Sequence, residues 1–103
     1  RYLSKETCQL FTTETSKISR RGLGFDKPDA DDPKKGNCAP AAPAEVYGHT
    51  GFTGTCAWVD PMNELVYVFL SNRIYPDVTN RKLNQLHIRE RIQGAIYDAM
   101  KKK

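Results

Sequence analysis

The chain has 103 residues, 39% of them hydrophobic and 27% charged, which bounds it to one domain of ordinary globular composition. Sixteen basic residues against twelve acidic ones give a formal charge of +4, but three of the positives are the terminal Lys101, Lys102 and Lys103, expected to form a solvated tail. No basic stripe with interleaved aromatics marks a nucleic-acid reader, and no apolar run approaches the roughly 20 residues of a membrane span. No basic-then-apolar leader opens these residues. The first residue is Arg1, and a helix start follows within three positions, so the chain is expected to be a piece of a longer protein.

Ser4 can accept from backbone N–H groups one turn on, and Glu6 suits the positive end of a helix. Leu3, Cys8, Leu10 and Phe11 supply an apolar side, and Thr12, Thr13 and Thr15 weaken helix propensity. This predicts a short helix over about residues 4–13. Gly22-Leu23-Gly24-Phe25 reads as a strand that another backbone approaches closely. From Lys27 to Glu45, prolines 28, 33, 40 and 43 mark a long irregular loop. Asp26, Asp29, Asp31 and Asp32 lack the glycine and terminal glutamate of a calcium loop, so a solvated, turn-rich segment is expected.

Val46 to Phe52 reads as a strand entering a glycine turn, and Cys56 to Val59 as a second strand. Asp60 to Glu64 forms a hairpin loop, with Asn63 suited to a left-handed backbone, and Leu65 to Ser71 returns. Leu65 to Leu70 is apolar on both faces, which predicts a central strand covered on both sides. After a break at Tyr75-Pro76-Asp77, residues Ile88, Ile92, Ala95, Ile96 and Ala99 mark one face of an amphipathic helix to about Met100. The order implies an α+β domain: an antiparallel sheet of about four strands with a helix at each end.

Cys8, Cys38 and Cys56 are odd in number and contain no C-x-x-C, and with His49 and His87 they offer no zinc spacing. Free thiols, two of them buried, are expected, and neither a metal nor another cofactor. Chemistry concentrates in Tyr47 to Thr55, where three glycines and three threonines surround His49. Glycines let a ligand approach the backbone and expose N–H groups to an oxyanion, and histidine supplies a donor near neutral pH. A tight glycine turn with a structural histidine is the alternative.

Gly22-Leu23-Gly24-Phe25, Gly48-His49-Thr50-Gly51, Trp58-Val59-Asp60-Pro61 and Val68-Phe69-Leu70-Ser71-Asn72-Arg73, in that order, resemble the last third of the beta-lactamase-like serine hydrolases. That family includes class C beta-lactamases, DD-peptidases and esterases, and His49-Thr50-Gly51 looks like its third active-site motif in the histidine version. Asn72 to Pro76 is similar to the stretch after the last strand in class C members. Tyr75-Pro76, Asn80-Arg81-Lys82, Ile88-Arg89 and Ala95 to Asp98 look most like a Bacteroides-type subgroup fused to a family 3 glycoside hydrolase, a beta-N-acetylglucosaminidase.

The resemblance implies that His49, Thr50 and Gly51 bind substrate and that the Phe52 backbone N–H is one oxyanion donor. No serine stands three before a lysine, and no tyrosine two before an asparagine, so the nucleophile motif S-x-x-K and the Y-x-N motif are absent. The expectation is therefore a C-terminal fragment of a hydrolase domain, residues 1–103, inactive alone. Its implied partner is the missing N-terminal part of the domain, and its implied place is the cell envelope. A homodimer through the bare Leu65–Ser71 edge is expected, as are no nucleic acid and no membrane span. A non-catalytic accessory module of a glycoside hydrolase is the other reading.

Overall fold

The computed structural model describes residues 2–101, so Arg1 and the lysine tail past Lys101 lie outside it. Helix α1 spans Lys5–Thr12. Ser4 Oγ accepts from the Thr7 N–H at 3.1 Å, and Thr13 returns to extended backbone and ends the helix. None of its residues is buried, and Leu10 and Phe11 remain exposed. The capping chemistry fixes this helix, while its apolar side meets no core.

The strand expected at Gly22–Phe25 is not formed. The chain bends there and makes a single bridge, Asp26 with Gly48. Gly24 sits at φ +88°, which breaks an extended run, and a Cβ on Gly22 would approach the Phe11 carbonyl oxygen to 2.6 Å. The sheet consequently has three strands rather than about four.

Asp26 also departs from expectation, for it is 1% exposed rather than solvated. It accepts from Arg20 Nε and Nη2 at 2.7 and 3.1 Å, from Asn37 Nδ2 at 2.9 Å and from the Lys27 N–H at 2.8 Å. Burial pushes the carboxyl up, but the bonds from Arg20, Asn37 and Lys27 outweigh it and hold the group below its ordinary range. Lys27 Nζ donates to the carbonyls of Thr12 at 2.7 Å and Val46 at 3.1 Å. Two charged side chains thus anchor the end of α1 and the irregular segment to the sheet.

Strands β1 (Tyr47–Thr50), β2 (Cys56–Asp60) and β3 (Leu65–Phe69) form an antiparallel sheet in that order. The register sets Gly48 opposite Trp58 and Trp58 opposite Tyr67, with Thr50, Cys56 and Phe69 aligned on the same face. That face carries the core of Cys38, Val46, Cys56, Trp58 and Tyr67, with Phe69 and Ile96 packed against it. Glycine is required at 48, since a Cβ there would collide with the Ala57 carbonyl oxygen and stand 2.7 Å from the Trp58 ring.

The opposite face is bare. Val66 and Val68 are 65% and 55% exposed, and His49 and Ala57 stand in the open beside them. β3 is therefore an edge strand with one covered face, not the central, doubly covered strand its composition predicts. Three strands supply no second layer. In the β2–β3 hairpin, Asp60 Oδ1 accepts from the Met62 and Asn63 N–H groups at 2.9 and 3.1 Å, and Glu64, not Asn63, takes the left-handed backbone at φ 51°.

A one-turn helix α2 (Lys82–Gln85) precedes α3 (Ile88–Lys101). Helix α3 runs as predicted but docks on a different seam: Arg89, Gln93 and Tyr97 are buried, whereas Ile92, Ala95 and Ala99 are exposed and Ile88 and Ile96 half-buried. Hydrogen bonds set this rotation. Tyr97 Oη donates to Asp60 Oδ2 at 2.6 Å, the Ala39 N–H donates to Gln93 Oε1 at 2.8 Å, and Tyr67 Oη donates to the Arg89 carbonyl at 3.0 Å. Among the described residues no helix is long and apolar enough to cross a membrane.

Candidate functional site

β1 is the other edge of the sheet, and its outer side is only partly used. The Asp26 and Gly48 backbones exchange two hydrogen bonds, at 2.7 and 3.0 Å, so Gly48 presents its N–H and C=O outward. Antiparallel alternation turns the Thr50 backbone outward as well, past the end of the bridge. The following turn is closed by the Gly51 N–H on the Thr55 carbonyl at 2.8 Å and by the Gly54 N–H on the Gly51 carbonyl at 3.0 Å. Among the described residues these turn bonds leave the Phe52 N–H unused. Gly54, at φ +95°, makes the tight reversal possible.

Side-chain alternation splits the predicted site residues. His49 and Thr50 are adjacent, so they point to opposite faces of β1. Thr50, Gly51 and Phe52 line one cleft of about 510 Å³ together with the loop at 34–37 and the residues before and at the start of α3. His49 lies outside that cleft, on the bare face of the sheet. The histidine is exposed rather than packed in the core. Its Nδ1 lies 2.6 Å from the Thr50 carbonyl, and Arg21 Nη1 lies 3.2 Å from its Nε2. A carbonyl can only accept and a guanidinium can only donate, so these two contacts suit a ring that donates from Nδ1 and accepts at Nε2. The edge between the two faces borders both His49 and Thr50.

Three cations near this edge have little local signal in the sequence. Arg21 reaches His49 across 28 positions. Arg73 lies over the Phe52 ring at 4.8 Å, while its N–H donates to the Thr53 carbonyl at 2.9 Å and holds the turn against the end of β3. Arg89 donates through Nη1 to the Thr55 carbonyl at 3.4 Å and through Nη2 to Asn84 Oδ1 at 3.1 Å. Arg73 and Arg89 fall within stretches that the resemblance marks, and Arg21 does not.

The cysteines take no part in this site. Cys38 and Cys56 are buried and Cys8 is exposed, all three as free thiols. Burial pushes the Cys38 and Cys56 thiols up, away from the reactive thiolate.

A family model described as Beta-lactamase matches residues 3–90. A protein of Escherichia coli O157:H7, provisionally named D-alanyl-D-alanine carboxypeptidase, is 33% identical over 81 residues, which are 79% of this chain and 18% of that protein. A protein of the same name from Escherichia coli strain K12 is 33% identical over 79 residues, 77% of this chain and 18% of its own length. Another, from Salmonella paratyphi B (strain ATCC BAA-1250 / SPB7), is 46% identical over 43 residues, 42% of this chain and 10% of that protein. The chain thus spans less than a fifth of the length of these curated relatives. No solved structure matches it.

Proposed function

The chain belongs to the beta-lactamase family, and from that premise we propose that it is the C-terminal portion of a serine hydrolase domain whose nucleophile is carried by a preceding part of a larger protein. The observation that carries this reading is the open outer edge of β1. His49 and Thr50 flank it, and the Phe52 N–H next to them is unused by the turn. Substrate would lie along that edge, held by His49 and Thr50, with Gly51 allowing close approach and Phe52 donating to the oxyanion. One such donor is worth about 10²–10³ in rate when the nucleophile is present. Without a serine–lysine pair the 103 residues have an oxyanion donor and nothing to attack with.

The parent reaction is acylation of a serine by an ester or amide, then hydrolysis. The relatives' name favours a peptide ending in D-alanyl-D-alanine as the substrate and the cell envelope as the location. The missing part of the domain is the natural cover for the bare sheet face at Val66 and Val68 and the natural partner for the β3 edge. In its absence that edge is a template for a second copy. Fusion of the parent to a family 3 glycoside hydrolase rests on the sequence resemblance at Tyr75–Lys82 and Ile88–Asp98. If that parent lacks S-x-x-K, the domain is an accessory module of the glycosidase.

The test is hydrolysis of a nitrophenyl ester and of a D-alanyl-D-alanine peptide. The isolated chain is expected to give no turnover above buffer. A longer protein containing S-x-x-K and this chain is expected to turn over and to lose rate on Thr50→Ala. Turnover by the isolated chain that survives repurification and disappears on His49→Ala refutes the reading.

A further inference from the structure

Residues 14–21, between α1 and the Asp26 bridge, belong to no helix or strand, and among the described residues none of them joins a backbone–backbone hydrogen bond. The Ile18 and Arg21 N–H groups reach only the hydroxyls of Ser16 and Ser19, both at 3.2 Å. Ile18 is 97% exposed. The other irregular stretch, 27–45, is better held. Turn bonds close it at Lys35 and Ala42, the Ala39 N–H is tied to Gln93 Oε1, and four prolines interrupt it.

Three basic side chains lie in residues 14–21, and two are engaged. Arg20 forks onto Asp26 at 2.7 and 3.1 Å, and Arg21 Nη1 lies 3.2 Å from His49 Nε2. Lys17 is exposed and, among the described residues, makes no ion pair. An endopeptidase takes extended backbone into its cleft and one side chain into its specificity pocket, which favours exposed chain outside regular structure. Lys17 meets both conditions.

Helix α1, just upstream, has no buried residue. Two hydrogen bonds tie it to the rest of the fold: the Leu23 N–H on the Phe11 carbonyl at 3.0 Å, and Lys27 Nζ on the Thr12 carbonyl at 2.7 Å. Between α1 and Ala44, Tyr47 and Pro61 runs a groove of about 590 Å³, with Lys27 in its lining.

We propose that the Lys17–Ile18 peptide bond is a processing site for a lysine-directed endopeptidase, and that its cleavage detaches α1 and opens the groove over Tyr47 and Lys27. Water adds across the bond. The C–N bond breaks, hydroxide joins the Lys17 carbonyl carbon, and the proton goes to the Ile18 nitrogen, which becomes a new N-terminus. The bond lies outside the β1 edge and needs no step of the hydrolase reading, so each can fail without the other.

The test is limited proteolysis of the 103-residue chain with a lysine-specific endoprotease, and in parallel with an arginine-specific one, each calibrated on a free peptide of residues 13–25. Intact mass identifies the products. The first cut outside the terminal lysines is expected after Lys17, and the arginine enzyme is expected to act about tenfold more slowly, because Arg20 must first leave its fork on Asp26. Lys17→Gln, on an exposed side chain without an ion pair, is expected to abolish the first cut. After size-exclusion chromatography the product of residues 18–103 is expected to be free of the α1 peptide and to unfold cooperatively in urea. A first cut within 27–45, equal rates for the two enzymes, an unaffected Lys17→Gln variant, an α1 peptide that stays bound or a product that no longer unfolds cooperatively overturns the proposal.

Discussion

Replacing Tyr97 with phenylalanine removes one hydroxyl and nothing else from the joint between α3 and the β2–β3 hairpin. That hydroxyl donates to Asp60 Oδ2 at 2.6 Å, and Tyr97 and Asp60 are 5% and 2% exposed. A hydrogen bond to a charged group contributes about 1.5–3 kcal/mol. Oδ2 keeps the 2.8 Å bond from Asn63 Nδ2, so the lower half of that range applies, about 1.5–2 kcal/mol. For a domain of this size such a loss lowers the thermal midpoint by roughly 6–16 °C.

The same bond has a pH signature. Burial pushes the Asp60 carboxyl up, but the bonds from Tyr97, Asn63 and Met62 outweigh it and leave the group below its ordinary 3.8. Between the folded and unfolded values the unfolded chain binds the extra proton. The contribution is therefore fully present above the unfolded value and is lost as pH falls through the folded one. Tyr97→Phe shrinks the depression, so the gap between wild type and variant should be widest near neutrality and narrow below about pH 4. Asp26 is depressed as well, but wild type and variant share it, and it cancels in the difference. Urea denaturation of both proteins at about pH 7 and about pH 3 measures the gap directly. A difference under about 0.5 kcal/mol at neutrality, or one of equal size at both pH values, refutes the reasoning.

Gly48→Ala should cost about 3 kcal/mol or more, because the new methyl meets the Ala57 carbonyl and the Trp58 ring; a wild-type denaturation midpoint would contradict this close packing. With a disulfide reagent at about pH 8, Cys8 should react quickly and Cys38 and Cys56 only after denaturant is added; fast reaction of all three thiols would contradict their burial. The isolated chain should sediment as a dimer at micromolar concentration through its unpaired β3 edge, and a monomer under those conditions counts against that pairing.

Local chemistry was legible in the sequence wherever near neighbours decide the outcome. Ser4 caps α1, the strands fall at Tyr47–Thr50, Cys56–Asp60 and Leu65–Phe69, and α3 runs from Ile88, because capping, alternation and helical periodicity act over a few residues. The family was legible as well, through a resemblance carried by several ordered segments, and the family model matches residues 3–90.

Tertiary structure alone decided which surfaces those elements cover. Arg20 and Asn37 take Asp26 out of its acidic loop, across distances of 6 and 11 residues that no local pattern encodes. Asp60 and Ala39 rotate α3 so that Tyr97 and Gln93 face inward, Ile88 and Ile96 stay half-buried and Ile92, Ala95 and Ala99 face outward. Apolar spacing reports how much hydrophobic surface a helix carries, whereas its docking angle is fixed by distant polar groups that must be bonded once buried. For the same reason β3 reads as a central strand and stands at an edge. Its composition records two apolar faces, and this chain supplies a layer for only one of them.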